Sequence, residues 1–394
     1  MFEQVSDSLL IDTALIDTAL VDTTLIDSVL QKKKNIVFSF IKAIFTGELD
    51  WNFIATPLVN YQPETNWGFG AAGAYYIKPK KTDGRVGTLG FNVSYTLNKQ
   101  FNVNVLSTIY LDKKQKWFLY SNVSFRHFYD VFYGIGNRKN QLLTQPFSYN
   151  SDNFHLILQP QTIVKGHWLA GLNFAMRWEN ASAGVDNELG KNTMFEQKTR
   201  GFEKYFMLGL GGIISYDSRN EMFYPRKGQF FKSVLTSYKP IFGSSYQMIK
   251  LQIDFRQYFT IYNNFIFAWQ FLTEWNLADD PPPFQMLATI GGMEFIRGVR
   301  SKMWNDDVMA GIQAEFRIPI WRIFKAAVFA GIGDVYNLRH WQFTTPKIGY
   351  GFGLRVRINK SNANLRFDIA RNNYDKNFRN IKSYNFYITV NEAF

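Results

Sequence analysis

Cysteine is absent from the 394-residue chain. That excludes a disulfide framework, a thiol nucleophile and a cysteine metal site. Histidine is scarce: His127, His155, His167 and His340 are the only four, and no two sit at helical metal-pair spacing. Long apolar runs are missing too. Hydrophobic residues make up 46% of the chain, yet no window nears the roughly eighteen apolar residues that a spanning helix needs. The opening Met1-Phe2-Glu3-Gln4 lacks the basic and apolar regions of a signal peptide, so an exported chain is expected to be a form without its leader. Acidic residues are outnumbered, 32 against 44 Lys and Arg, for a formal charge of +12. The cations collect in short turns such as 78–85 and 113–116 rather than in one stripe. This favours an anionic membrane surface and argues against nucleic acid.

Aromatic side chains, by contrast, are plentiful, with 38 Phe, 21 Tyr and 10 Trp, as in the girdles of a membrane barrel. The first fifty residues differ from the rest. Residues 8–30 carry a five-residue repeat, of which Leu10-Ile11-Asp12-Thr13-Ala14 is one unit and Leu25-Ile26-Asp27-Ser28-Val29 the last. A period of five fits neither helix nor strand, so its aspartates rotate around any helix it forms. After Lys32-Lys33-Lys34, segment 36–46 is apolar but too short to span a bilayer, and suits an interfacial helix. We take residues 1–50 as an N-terminal extension. It is a candidate for a lumen plug, because twenty helical residues span about 30 Å.

From Trp51 the period becomes two. Leu89, Phe91, Val93, Tyr95 and Leu97 alternate with Gly90, Asn92, Ser94 and Thr96, and Phe265, Phe267, Trp269 and Phe271 repeat the pattern. Apolar-out and polar-in alternation over about ten residues marks an outer-membrane strand. The pattern predicts sixteen strands at 53–61, 67–78, 87–97, 101–111, 117–127, 152–160, 168–178, 204–216, 228–238, 246–258, 265–276, 307–318, 326–336, 348–358, 364–371 and 384–392. The long gaps near 128–151, 179–203 and 277–306 all follow odd-numbered strands and so share one side of the membrane, as outer loops do. The expected fold is all-β: a sixteen-stranded antiparallel transmembrane barrel over 51–394, preceded by the short extension.

The gap at 277–306 contains Gly291-Gly292-Met293-Glu294-Phe295-Ile296-Arg297-Gly298-Val299-Arg300. This resembles the loop motif of the BamA/TamA outer-membrane assembly and translocation superfamily, a glycine pair followed by hydrophobic-Arg-Gly-aromatic. Here Val299 stands where the aromatic is usual. Tyr216-Asp217-Ser218-Arg219 with Pro225-Arg226-Lys227-Gly228, Glu315-Phe316-Arg317-Ile318-Pro319, Tyr350-Gly351-Phe352-Gly353 and Leu365-Arg366-Phe367-Asp368 are similar to family motifs in the same order. The resemblance covers about 51–394. The soluble POTRA modules that precede such barrels find no counterpart in residues 1–50, so the chain is expected to be a form without them.

The resemblance implies a loop folded into the lumen, carried by Gly291, Gly292, Phe295, Ile296, Arg297 and Gly298. It implies an acidic wall for Arg297, with Glu315 and Asp334 as candidates. Asp334 falls at an odd offset from Phe329 and faces the other side unless a bulge at 331–333 intervenes. It also implies a lateral seam, formed by Phe53, Ile54 and Ala55 of the first strand and by Phe386, Ile388, Val390 and the terminal Phe394. The function implied is insertion or export of proteins or lipids at the bacterial outer membrane. Its partners would be outer-membrane lipid, lipopolysaccharide and proteins of an envelope complex, with no cofactor and no metal. A passive pore and a structural subunit of a larger complex are the alternatives. An enzyme is not expected, because Ser124 and His127, three apart on a strand, face opposite sides.

Overall fold

The computed structural model describes residues 53–62, 66–77, 86–97, 99–139, 141–183, 199–262, 264–343, 346–357, 362, 364–373, 384–390 and 392–394. The repeat at 8–30 and segment 36–46 lie outside the described residues. Strands β1 (Phe53–Gln62), β2 (Asn66–Ile77), β3 (Gly87–Thr96) and β4 (Phe101–Tyr110) open the chain. They continue into β5 (Trp117–Gly134), β6 (Leu142–Lys165), β7 (Trp168–Ala183) and β8 (Lys204–Asp217). Then come β9 (Gly228–Tyr238), β10 (Met248–Thr260) and β11 (Ile266–Leu277). A long connection carries the short ribbon β12 (Ala288–Ile290) and β13 (Trp304–Asp306). The wall resumes with β14 (Val308–Trp321), β15 (Phe324–Tyr336), β16 (Lys347–Arg357), β17 (Asn364–Asn372) and β18 (Tyr384–Val390). Sixteen of these form one antiparallel sheet in chain order, as the alternation predicts.

The two faces of the sheet have opposite chemistry. On β14, Ile312 and Phe316 are exposed, whereas Gln313, Glu315 and Arg317 are buried. Outward rings pack across strands, Phe267 on Phe316 at 4.8 Å and Phe255 on Trp269 at 5.2 Å. Such cross-strand aromatic pairs stabilise a sheet, and here they coat it for lipid. The sheet is rolled into a barrel, and side chains meet across its interior. Phe223, in the turn after β8, packs on Tyr76 of β2 at 5.2 Å, and Leu365 of β17 packs against the same tyrosine. Beside it, Lys325 of β15 stands 3.4 Å from the ring of Tyr224. One turn thus touches strands near both ends of the sheet. Asn137 Nδ2, at the tip of the β5–β6 hairpin, donates to the Val335 carbonyl at 2.8 Å.

Three expectations change. Most of 128–151 is strand rather than loop, since β5 and β6 extend past the membrane zone as one long hairpin that turns at 135–141. The register of β14 on β15 runs unshifted from Val308↔Tyr336 to Pro319↔Lys325, so there is no bulge at 331–333. Finally, β18 stops at Val390, and Phe394 leaves the seam for the interior. It lies buried against Tyr258 and Ala268, with its main-chain oxygen accepting from Arg317 Nη2 at 2.9 Å. Its place in the alternation would have aimed the ring at lipid, but Arg355 captures Glu392 at 2.8 Å and the chain turns inward.

Phe352 sits mid-strand on β16 and is 61% exposed. Phe352→Arg is expected to destabilise the barrel by about 2–4 kcal/mol, the cost of a cation at the bilayer midplane. The midpoint of urea unfolding in lipid vesicles measures it.

Candidate functional site on the inner wall

The connection between β11 and β14 packs on the inward face of β14–β18, and its backbone explains how. Gly291, Gly292 and Gly298 adopt φ of 94°, 117° and 103°, values that L side chains rarely reach. Ile296 is held at φ 48°, where a β-branched residue is strained. Such strain persists only where the surroundings over-determine it. Here the surroundings are a glycine patch on three neighbouring strands. Cβ atoms added at Gly311 and Gly333 would come within 2.9 and 2.7 Å of the Ile296 side chain, and one at Gly331 within 3.3 Å of its Cα. A Cβ at Gly349 would collide with the Arg297 carbonyl oxygen. The bare wall lets Ile296 lie flush, fully buried with Phe295, Val299, Met303 and Trp304.

That fit delivers Arg297 to a set of buried charges. Its Nη2 donates to Glu315 on β14 at 2.5 Å and its Nη1 to Asp368 on β17 at 2.6 Å, and the ring of Phe329 lies 3.5 Å below the guanidinium carbon. Glu315 also accepts from Arg317 at 2.8 Å and from Arg355 at 3.3 Å. Arg355 donates to Asp368 at 2.5 Å and to Glu392 at 2.8 Å. Every side chain in this network is at most 2% exposed. Buried cations of this kind persist only when each meets carboxylates and hydrogen-bond acceptors. Arg366 completes the group, donating through Nη2 to the Met293 carbonyl at 2.9 Å and through Nε to Thr389 at 2.7 Å.

The loop backbone is held as well. Gln313 Nε2 donates to the Glu294 carbonyl at 2.7 Å, and Ile296 N–H donates to Gln313 Oε1 at 3.2 Å. Gly298 is gripped from two strands. Its carbonyl accepts from Asn372 at 2.9 Å and Asn385 at 2.8 Å, and its N–H donates to the Tyr387 hydroxyl at 3.2 Å. Further along, burial pushes the Asp306 carboxyl up, while the Asp307 N–H and the Asn337 amide hold it down.

Asp334 stands apart from Arg297. It folds back over the end of β15 to accept from Lys347 at 2.6 Å, and Lys347 also donates to the Asn137 carbonyl at 2.5 Å. With no bulge to turn it inward, Asp334 joins the hairpin tip instead, and the second carboxylate for Arg297 is Asp368. Reasoning from sequence quoted Asp368 as a strand motif without giving it this role. The available signal was its spacing from Arg366, two residues away on one face. Of the seam residues, Phe53, Ala55, Phe386 and Ile388 are exposed. Every other neighbouring pair of wall strands has a hydrogen-bonded register, but none joins β1 to β18 among the described residues. Ser124 faces His155 across the ladder, and His127 pairs with Asp152. Among the described residues no group of three ligating side chains could hold a metal.

An apolar-coated barrel whose long loop packs on its inner wall defines a class, the outer-membrane β-barrels with an inward motif loop. The Omp85 superfamily domain matches residues 82–394, and the chain belongs to that superfamily. Its members are outer-membrane transporters and insertases rather than enzymes. Among solved structures, BamA from Haemophilus ducreyi lacking POTRA domains 1–3 is 14% identical with a TM-score of 0.57, covering 86% of this chain and 70% of that one. CdiB from Acinetobacter baumannii is 10% identical with a TM-score of 0.53, and CdiB from Escherichia coli 9% with 0.55. Each covers 86% of this chain, which spans 59% and 62% of theirs. At such identities the likeness is one of fold. No curated protein matches the chain in sequence.

Arg297→Ala leaves Glu315 and Asp368 facing the remaining arginines without their central bridge. The expected loss is about 3–5 kcal/mol of barrel stability, as for a buried pair broken on one side. Insertion into the membrane should persist, since the apolar outer face is untouched. Gly349→Ala should displace the same loop sterically, with every charge retained. Urea midpoints of the two variants against the parent protein check both.

Proposed function

We propose that the chain takes part in inserting or exporting proteins or lipids at the outer membrane, with the 277–306 loop as resident plug of the lumen and the junction of β1 and β18 as a lateral seam. The observation that carries this reading is the grip of β18 on the loop. Asn385 and Tyr387, on the strand at the sheet's free edge, both bond Gly298 of the motif. An edge strand in lipid has unpaired backbone groups that are costly to leave open and ready to pair with another strand. Exposed Phe386 and Ile388 face the bilayer from that edge. In this reading a client strand pairs at the seam, and the loop keeps the lumen sealed while it does so. Outer-membrane lipid and lipopolysaccharide surround the wall, and proteins of an envelope complex deliver the client.

A passive pore is disfavoured by the loop's packing, in which Ile290, Ile296, Val299 and Met303 are all fully buried. A pore would need that interior to be water. A structural subunit of a larger complex remains the second reading, and it predicts stoichiometric co-purification from mild detergent without any need for the seam to open.

The chain has no cysteine, so a pair introduced at Ala55 and Ile388 reports on the seam alone. Oxidation to a cross-link is expected to abolish activity in cells, and reductant should restore it. Full activity with a cross-linked seam rules out lateral opening. In planar bilayers the parent protein should show low conductance, and Arg297→Ala a conductance several times higher. Equal conductance in both means that the loop is not the plug.

A further inference from the structure

A second polar site lies between the inner wall and the long loop, and the arginine network does not use it. It is a cavity of about 130 Å³ at the end of the barrel that carries the long connections, bounded by β5–β7 and residues 284–305. Four buried polar atoms that line it have no hydrogen-bond partner among the described residues: Asn153 Oδ1, His155 Nε2, Thr289 Oγ1 and Asn305 Oδ1. Buried polar groups are almost always paired, so four in one cavity need an explanation. Asn153 and Asn305 are only 3% and 6% exposed, so bulk water does not reach them freely.

The orientation of both amides is fixed by their other bonds. Ser151 gives its hydroxyl proton to Glu179, so toward Asn153 it can only accept, and Asn153 Nδ2 supplies that bond at 2.9 Å. Asn305 Nδ2 donates to the carbonyls of Gly134 and Lys302 at 3.2 and 3.3 Å, which only an NH2 group can do. Both free oxygens are therefore acceptors waiting for a donor. Of the three cations around them, two are matched by carboxylates. Glu179 holds Arg177 at 2.7 Å and Asp130 holds Lys302 at 2.7 Å. Arg126 approaches Asp130 only to 3.6 Å, too far for a hydrogen bond, and keeps N–H groups for a guest. Apolar surface comes from Phe132, Tyr149 and Phe284, whose rings pack edge to face at 4.7 and 5.3 Å.

The site thus asks for a guest with several donors, several acceptors and an apolar face, and, with Arg126 the one charge in excess, no positive charge of its own. Hydroxyl groups on a carbon ring meet all three demands. A hydroxyl donates to Asn153 and Asn305, accepts from Arg126, and does either with Thr289 and His155, while ring C–H groups lie on the aromatic edges. We propose that this cavity is a carbohydrate-binding site that takes one hydroxylated edge of a sugar ring. Its volume supports that size, since a cavity of about 150 Å³ accommodates benzene. The sugar reaches it either as a free monosaccharide or as the end of a membrane glycolipid, and the chemistry at the cavity is the same for both.

Saturation-transfer NMR on the full chain in detergent tests this, with free hexoses and N-acetylhexosamines in one arm and purified lipopolysaccharide in the other. At least one arm should show saturable transfer to sugar ring protons. Binding of free sugars assigns a soluble ligand, and binding of lipopolysaccharide alone assigns a membrane glycan. Asn153→Leu and Thr289→Val should each weaken the interaction about tenfold, the worth of one hydrogen bond to a buried group. No binding in either arm, or equal binding by parent and variants, overturns the proposal and leaves the cavity to ordered water. Thermal midpoints guard against a folding artefact. Thr289→Val should stay at or above the parent value, because it removes an unpaired polar atom. Asn153→Leu also gives up the amide's bond to Ser151 and should fall by no more than that one bond. If a variant unfolds, the test moves to the parent protein labelled at histidine with ¹⁵N. The His155 resonance must then shift on addition of the sugar, and an unmoved resonance overturns the proposal equally.

Discussion

The contact on which the interior depends is the guanidinium of Arg297 held between Glu315 and Asp368, fully withdrawn from water. A cation in such a place is strongly unfavourable unless carboxylates meet it with good geometry. On the wall, Glu315 keeps Arg317 and Arg355 and Asp368 keeps Arg355, so the dependence runs mainly from the loop to the wall. The loop is therefore incomplete without the wall. The connection from Leu277 to Val308 is long, and closing a flexible loop of that length costs conformational entropy. One well-placed ionic contact, with Ile296 seated on bare glycine, orders the segment at its midpoint. The ribbon of β12 and β13 brings the two ends of the connection together, and the apolar cluster around Trp304 packs beside it. The strain at Ile296 is consistent with this, since a left-handed isoleucine has to be held by its neighbours.

The sequence disclosed the wall more readily than what lies inside it. Strands that cross lipid must present apolar groups outward and polar groups inward, so Leu89 to Leu97 or Phe265 to Phe271 announce themselves by period. The upper halves of β5 and β6 do not. Beyond the membrane both of their faces meet protein or water, and Tyr129, Asp130, Val131 and Phe132 show no such contrast. The site divides in the same way. Arg297 and Glu315 stand in recognisable motifs, but nothing local tells Asp368 from Asp334 as the second partner, because β17 meets the loop only in three dimensions. The glycine patch was equally hidden. Gly311, Gly331, Gly333 and Gly349 look like ordinary strand glycines until Ile296 is seen lying on them. Phe394 was misassigned for a related reason. Its place in the alternation is a local signal, and the capture of Glu392 by Arg355 overrides it.

A buried network of arginines and carboxylates is a poor device for stability alone, since apolar packing of equal volume often does as well. What it offers is a contact specific to one arrangement, because removing one member leaves its partners buried with an uneven charge balance. In this barrel the members sit on β14, β16, β17 and the segment after β18, with the loop at their centre. The last strand takes part twice. Its inward residues Asn385 and Tyr387 hold Gly298, and Glu392 beyond it holds Arg355, which in turn holds Asp368 beside Arg297. Any outward swing of β18 must therefore either carry these bonds along or break them, exposing an arginine to a low-dielectric interior. Coupling of this kind needs a contiguous physical connection with two distinguishable arrangements. The connection is present here in three bonds, Glu392 to Arg355, Arg355 to Asp368 and Asp368 to Arg297. The last strand and the loop are consequently not independent parts, since the bonds that hold Gly298 and Arg297 run through β18 and the segment after it.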